Sequence, residues 1–353
     1  MTIRDVAKRP GPFASLYIDA EHDTEDAEHR RALQWRALAG QLAEQGATET
    51  MIDALGAAVT GSPPEPGHTG RALIADSGAV LIDRRLPEPP PRDTVRVSPL
   101  PYLLPLIESD AREVPHAVAS VDKVGSEMYG VDAHGTVVGE TVQGEGHPIH
   151  KVRHGGGWSH RSMQRRVEEK VERNTAEVAA ELTRLAREIR AQVIVVSGEV
   201  TVRSAVRAAL GSTGAQVVEV ESDGGDLDAE VADIVATEAG HRHEEVVARY
   251  DKARGRAEGL AVSGLAPTVS ALLAANTENL LINSAALGDR TVALDPEPLR
   301  DPAALGAPGE KTTWTCRADE ALPVATLVRG ATITPVDETA APPEGVGALL
   351  RHA

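Results

Sequence analysis

Apolar residues fall along the chain in short runs broken by turn-forming residues, and in one place only in a long helical period. Residues 14–20 (ASLYIDA) alternate as a strand does, and residues 21–47 predict a helix with Leu33, Leu38 and Leu42 inward, ending at Gly46. A second helix is predicted over about 48–59, then two short strands, RALIAD and AVLID, joined at Ser77-Gly78 as a hairpin. The segment LPEPPPRD is an extended connector, because proline removes a donor and fixes φ. VRVSPL and PYLLPLIES follow. HAVASVDK, SEMYGVD and TVVGETVQ then read as a three-stranded meander with turns at Val124-Gly125 and His134-Gly135.

The long period begins after that. Met163, Val167, Val171, Val178, Leu182, Leu185 and Ile189 are spaced four, four, seven, four, three and four, one face of a long amphipathic helix with Ser159 as its candidate N-cap. AQVIVVSG is a continuous apolar run, the mark of a strand buried on both faces. VRSAVRAAL (helix), AQVVEVES (strand) and DLDAEVADIVATEAG (helix) complete βαβ units with right-handed crossovers. A charged helix is predicted from residue 239, then the helix and short strand of GLAPTVSALLAANTENLLIN. The stretch 285–312 reads as loop, and DEALPVATLVRGATITPVD as strand, turn and strand. VGALLRHA closes the chain, and no repeat of fixed period occurs.

These elements predict an α/β protein of three small α/β domains. An N-terminal domain spans 1–112. A middle domain of 113–238 has a mixed sheet, a glycine-tipped basic loop and a long helix. A C-terminal α/β sandwich, the partner-binding domain, spans 239–353. A length of 353 residues agrees, at roughly 100–200 residues per domain.

Charge changes this picture most. The chain carries a net charge of −17, yet His147 to Arg166 holds five basic residues, four histidines and no Asp or Glu. The basic residues are Lys151, Arg153, Arg161, Arg165 and Arg166; the histidines are His147, His150, His154 and His160. Gly155-Gly156-Gly157 sits inside, followed by Trp158. A flexible glycine tip on a stiff basic helix is suited to a polyanion, and contact with RNA must be local because the rest of the surface repels it. Aromatic residues are only 2% of the chain, so the core is aliphatic and a base-stacking single-strand platform is excluded. One cysteine, Cys316, excludes an internal disulfide framework and Cys-rich zinc modules. No run of about 18 apolar residues and no secretory leader is found, so a soluble, cytoplasmic protein without membrane contact is expected.

Other motifs carry less. His147, His150 and His154 have ligand-like spacing and His241/His243 form an HxH pair, but the first three lie in a glycine-adjacent loop that presets no geometry. They are read as part of the anion-binding patch, and no metal or other cofactor is expected. GAPGEKTT (306–313) places Glu310 where a phosphate-binding loop needs glycine. VVSGEV lacks the glycine two residues before Ser197 that a nucleophile elbow requires. Asp223, Asp226 and Asp228 do not match a calcium loop, and Asp228 favours a helix start. No catalytic residue is assigned.

The glycine tip with its following serine, the arginine-rich helix and the buried strand ending VVSG together resemble the middle domain of archaeal and eukaryotic class-1 peptide-chain release factors and their Pelota relatives. SEMYGVDAHGTVVGETVQG resembles the strands before that family's loop. Gly264, Thr268, Ala271 and Leu272 match a G-x-x-x-T-x-x-A-L segment opening its third domain. The likeness spans roughly residues 70–290, and the first 60 residues are similar to actinobacterial members, a group that includes the Balon-like ribosome hibernation factors.

The resemblance aligns the family's Gly-Gly-Gln tip with Gly156-Gly157-Trp158, and Ser159 and Arg161 with the positions just after it. An indole offers one N–H donor and no good acceptor, so Trp158 cannot orient a hydrolytic water as glutamine does. The family's stop-codon-reading Asn-Ile-Lys-Ser is absent from residues 1–112. The resemblance therefore implies a ribosome-binding factor occupying the A site and reaching the peptidyl-transferase centre, a hibernation or stress factor without peptide release. Its RNA-binding residues would be Lys151, Arg153, His154, Gly156, Gly157, Trp158, Ser159, His160, Arg161, Arg165 and Arg166. It implies elongation factor Tu as a partner of the C-terminal domain. The alternative is a peptidyl-tRNA hydrolase acting on stalled ribosomes, with His160 or Gln164 replacing the glutamine.

Overall fold

The computed structural model describes residues 1–20, 27–61, 69–121, 125–133, 137–143, 159–221, 224–255, 259–294 and 314–353. They divide into two compact units, Met1–Ser109 with His243–Ala353, and Asp110–Arg242.

The first unit opens with a short helix, α1 (Ile3–Ala7), which sequence periodicity does not reveal; Thr2 and Asp5 close it as a reciprocal capping box. Strands β1 (Phe13–Asp19), β2 (Gly70–Ala75), β3 (Val80–Leu86) and β4 (Thr94–Ser98) form an antiparallel sheet in the order β3-β2-β1-β4. The predicted hairpin is β2–β3. Alternation along β1 sends Ala14, Leu16 and Ile18 into a core with Leu38 and Leu42 of α2 (Ala27–Glu44) and Met51 and Leu55 of α3 (Glu49–Gly61), whereas Leu33, expected inward, is exposed because it lies half a turn from Leu42. Phe13 and Tyr17 enter a second core on the opposite face. Gln45 occupies the open edge of β4, its amide donating to the Val95 carbonyl and its oxygen accepting from the Val97 amide. The helix α4 (Leu104–Asp110) follows.

The C-terminal part of this unit starts beyond the middle of a 31-residue helix. Where the sequence predicts two helices meeting near residue 239, Gly224–Arg254 is continuous, and Gly240 is carried in its interior with open space around it. An isolated helical glycine costs only about 1 kcal/mol, too little to break a helix of this length. A second sheet has the order β10-β15-β11-β14, from Ala261–Ser263, Val346–Leu350, Thr277–Ile282 and Thr332–Pro335. The helix α8 (Leu265–Leu273) precedes β11 as predicted.

Two expectations are corrected here. Part of the stretch read as loop holds the short helix α9 (Ser284–Leu287) and β12 (Thr291–Leu294), which pairs with β13 (Trp314–Arg317). The stretch read as strand, turn and strand is the helix α10 (Ala318–Val328), then β14. Every residue from Ala318 to Leu327 is buried, so α10 has no polar face and shows no 3.6-residue period. Its interior Pro323 also argues for extended chain when only the sequence is read.

α10 joins the two four-stranded sheets of this unit. Ala318, Leu322, Ala325 and neighbours share one core with Val6, Phe13, Tyr17, Leu100 and Leu103 from the N-terminal part. At the helix start, Arg96 of β4 lies 2.9 Å from Asp319 and 3.2 Å from Glu320, whose side chains are 5% and 3% exposed. Ser98 donates to the second oxygen of Glu320 at 2.6 Å. The Arg96 guanidinium also stacks 3.5 Å from the centre of the Tyr102 ring. Arg317 meets Asp319 at 2.9 Å and Asp289 at 2.6 Å.

Burial raises the Glu320 carboxyl above its ordinary value of 4.5, against the lowering effects of Ser98 and Arg96. A carboxyl more basic in the folded state contributes stability that is full below that value and lost as pH rises through the folded one. Acidification from pH 7 to 5 is therefore expected to help the wild type more than Glu320→Gln. A difference in the thermal midpoint between the two chains at pH 7 that vanishes toward pH 4.5 is the expected reading. Equal pH slopes would remove this account of Glu320.

Candidate nucleic-acid interface

The second unit is built on a five-stranded mixed sheet in the order β7-β6-β5-β8-β9. Its strands are β5 (His116–Val121), β6 (Gly125–Val131), β7 (Val137–Gln143), β8 (Val193–Gly198) and β9 (Gln216–Val220). The predicted meander is antiparallel β5-β6-β7, and the apolar run AQVIVVSG becomes β8, flanked in parallel by β5 and β9. That inner position explains its lack of alternation: Ile194 and Val196 face one core, Val193 and Val195 the other.

The long helix α5 runs from Ser159 to Glu188. It opens at Ser159 itself, one residue earlier than a Ser159 cap requires. In its second half Val178, Leu182 and Leu185, followed by Ile189 just past its end, all singled out by periodicity, pack on Ala117, Ala119, Met128, Ile194 and Val196. The helix α6 (Val200–Ala209) adds Val202 and Val206 to the same core. Close approach needs Gly130 on β6, where a Cβ would stand 2.7 Å from Ile189 Cδ1. Opposite, Leu227 and Val231 of the α7 helix (Gly224–Arg254) cover Val118, Val195 and Val220. Arg184 is paired with Glu181 and Glu188 along α5, and Arg187 donates to the Ser212 carbonyl.

The first half of α5 holds the candidate site. Ser159, His160, Arg161, Arg165 and Arg166 lie on its first turns, directly after the glycine tip in sequence. No acidic residue occurs in the first turn, and the first carboxylates along the helix are Glu168 and Glu169. A helix N-terminus carries roughly half a positive charge, so an arginine there is unfavourable by about 0.3–1 kcal/mol unless an anion is supplied. At about 1.5 Å per residue, Arg161 lies roughly 25 Å along the axis from Val178, the first described α5 residue of the core. Lys151, Arg153, His154, Gly156, Gly157 and Trp158 lie outside the described residues, as do His147 and His150.

The acid in the first turn of α7 is Asp226, with Asp228, the residue expected to favour the helix start, two positions further on; Asp223 lies outside the described residues. Among the described residues no group of three His, Cys, Asp or Glu side chains is placed to hold a metal ion. No helix there is long and apolar enough to cross a membrane. Gly264 starts α8 at a φ of 87°, while Thr268, Ala271 and Leu272 are buried. The G-x-x-x-T-x-x-A-L segment is thus a packing motif.

Arg203 on α6 was not legible as special. It donates to the carbonyls of Gly198 and Val220 and pairs with Glu219 and Glu221, tying together the ends of β8 and β9. Its signal is an arginine in place of an apolar residue on the inward face of VRSAVRAAL. Hydrogen bonding by Arg207, helped by Ser204 and Arg203, holds Glu219 below the usual carboxylate range.

The sheet and basic helix fall within residues 115–256, which match the model of bacterial archaeo-eukaryotic release factor family 2. The chain is also 35% identical over 362 aligned residues, 99% of this chain and 96% of the relative, to the uncharacterized protein Rv2629 of Mycobacterium tuberculosis H37Rv. The same figures hold for MT2704 of the strain CDC 1551. The chain belongs to this bacterial family of release-factor-like proteins. Among solved structures, a model of ribosome-bound archaeal Pelota and ABCE1 aligns at a TM-score of 0.40 and 14% identity, covering 99% of this chain and 94% of that one. Archaeoglobus fulgidus Pelota aligns at 0.33 and 15% identity, covering 80% and 79%. At these scores the alignments assign no role to individual residues.

Proposed function

We propose that the chain is a cytoplasmic ribosome-binding translation factor that occupies the A site as a hibernation or stress factor and releases no peptide. One observation carries the reading. A 30-residue helix begins with Arg161, Arg165 and Arg166 and no acid in its first turn, in a chain of net charge −17. That arrangement leaves the positive end of a helix for an external polyanion, and membership of a release-factor-like family supports ribosomal RNA as that polyanion. With Lys151 and Arg153 the patch would meet rRNA phosphates of the A site and peptidyl-transferase centre. Gly156 and Gly157 allow close backbone approach, and Trp158 is suited to stack on an unpaired base for about 1–3 kcal/mol. The C-terminal part would engage elongation factor Tu.

The test is sedimentation of the purified chain with 70S ribosomes, with and without elongation factor Tu, across a salt series. With about five phosphate contacts, affinity is expected to fall by roughly 10²–10³ from 50 to 200 mM salt. Salt-independent binding, or none, would remove the ribosomal reading. A parallel assay on ribosomes carrying peptidyl-tRNA is expected to release no peptide. Release abolished by His160→Ala would replace the non-catalytic reading with the hydrolase.

A further inference from the structure

We propose that Arg96, with Asp319 and Glu320, is a latch that makes the two ends of the chain, residues 1–109 and 243–353, open and close as one body. This rests on the first unit alone and holds whatever the partner of the basic helix is.

The contact crosses more than 220 positions of sequence, from β4 to the first turn of α10, and it is concentrated on one cation. Arg96 is bonded to two carboxylates that are almost wholly buried, and Ser98 on the same strand holds Glu320 from its other oxygen. Opening this contact would leave the nearly buried Glu320 without its cation and Asp319 with Arg317 alone. Buried charges without a partner are among the costliest groups in a protein. The alternative attachment is incomplete: Asp319 would retain Arg317, while among the described residues the ion pair of Glu320 is with Arg96 alone. Groups facing the cluster come from every element around it: Tyr102 and Glu108 on the N-terminal side, Arg317 and Asp289 on the C-terminal side. The apolar core beneath is continuous across the same boundary, Val6 and Phe13 with Leu322 and Ala325. Neither end can expose its side of this core without breaking the ionic contact above it. The polar part therefore acts as a gate on an apolar seam.

Hydrogen exchange followed by mass spectrometry on the full chain tests this. Arg96→Met keeps the bulk and removes the charge. It is expected to speed exchange about tenfold or more, by the same factor in β1 and β4 as in α10 and β11, with β8 of the second unit unchanged. Should that variant fail to fold, Ser98→Ala removes the bond to Glu320 together with the longer one that the hydroxyl accepts from the Leu100 amide, and a paired acceleration of about threefold is expected. Acceleration confined to the segment that carries the substitution would show that the ends open independently and would overturn the latch. No acceleration at either end would overturn it as well.

Discussion

Charge reversal at Arg161, Arg165 and Arg166 is expected to take the chain off the ribosome. Each phosphate contact contributes about 0.9 to the slope of log affinity against log salt, which is roughly a tenfold gain per contact near 0.1 M. Three lost contacts lower affinity by roughly 10²–10³ before any repulsion from the new glutamates, and they flatten the salt slope by about 2.7. Sedimentation and a salt series on the same preparations check both numbers. Arg184→Ala, on the same helix but within the ion-paired second half, is the control and is expected to bind as the wild type does. A reversed variant that still co-sediments, with an unchanged thermal midpoint, would place the RNA contact elsewhere or nowhere.

The long helix itself was legible in the sequence because its period depends on neighbours along one segment. Val178, Leu182, Leu185 and Ile189 announced the packed half by their spacing, and all four are buried. The run AQVIVVSG likewise announced an inner strand, since only burial on both faces tolerates such continuity. What failed to show was whatever depends on residues far apart. α10 looked like strand because every side is buried, so its helical period has no polar residues to mark it. Nothing in the segment VRVSPL singles out Arg96. Its acceptors lie at the other end of the chain, and a pair so separated leaves no local pattern. Arg203 is similar on a smaller scale, a charged residue on an apolar face whose acceptors are strand-end carbonyls. The glycine tip is a third kind of case: its composition is plain, and Gly156, Gly157 and Trp158 lie outside the described residues.

Gly198 is where the largest single-residue effect is expected. It ends β8 at a φ of 119°, a conformation that side chains rarely adopt, and a Cβ there would overlap the Val121 carbonyl oxygen of β5. The obstacle is backbone in the adjacent parallel strand, so no rotamer change relieves it. Gly198→Ala must either separate β5 from β8 or turn the chain before α6, whose Arg203 is anchored on the Gly198 carbonyl. A loss of about 3 kcal/mol or more in the second unit is expected. Denaturant unfolding should show it as an earlier transition of that unit alone. Ser197→Ala next door is the control. Its hydroxyl is fully buried with no hydrogen-bond partner among the described residues, so removing it is expected to change stability little or to raise it. Because β5 and β8 form the floor on which α5 is seated, Gly198→Ala is also expected to weaken ribosome binding without touching a charge. Its salt slope should stay that of the wild type, since the phosphate contacts remain and only the folded fraction falls. Full stability in Gly198→Ala, or ribosome binding that is not weakened although the second unit is destabilised, would show that the basic half of α5 does not depend on this sheet.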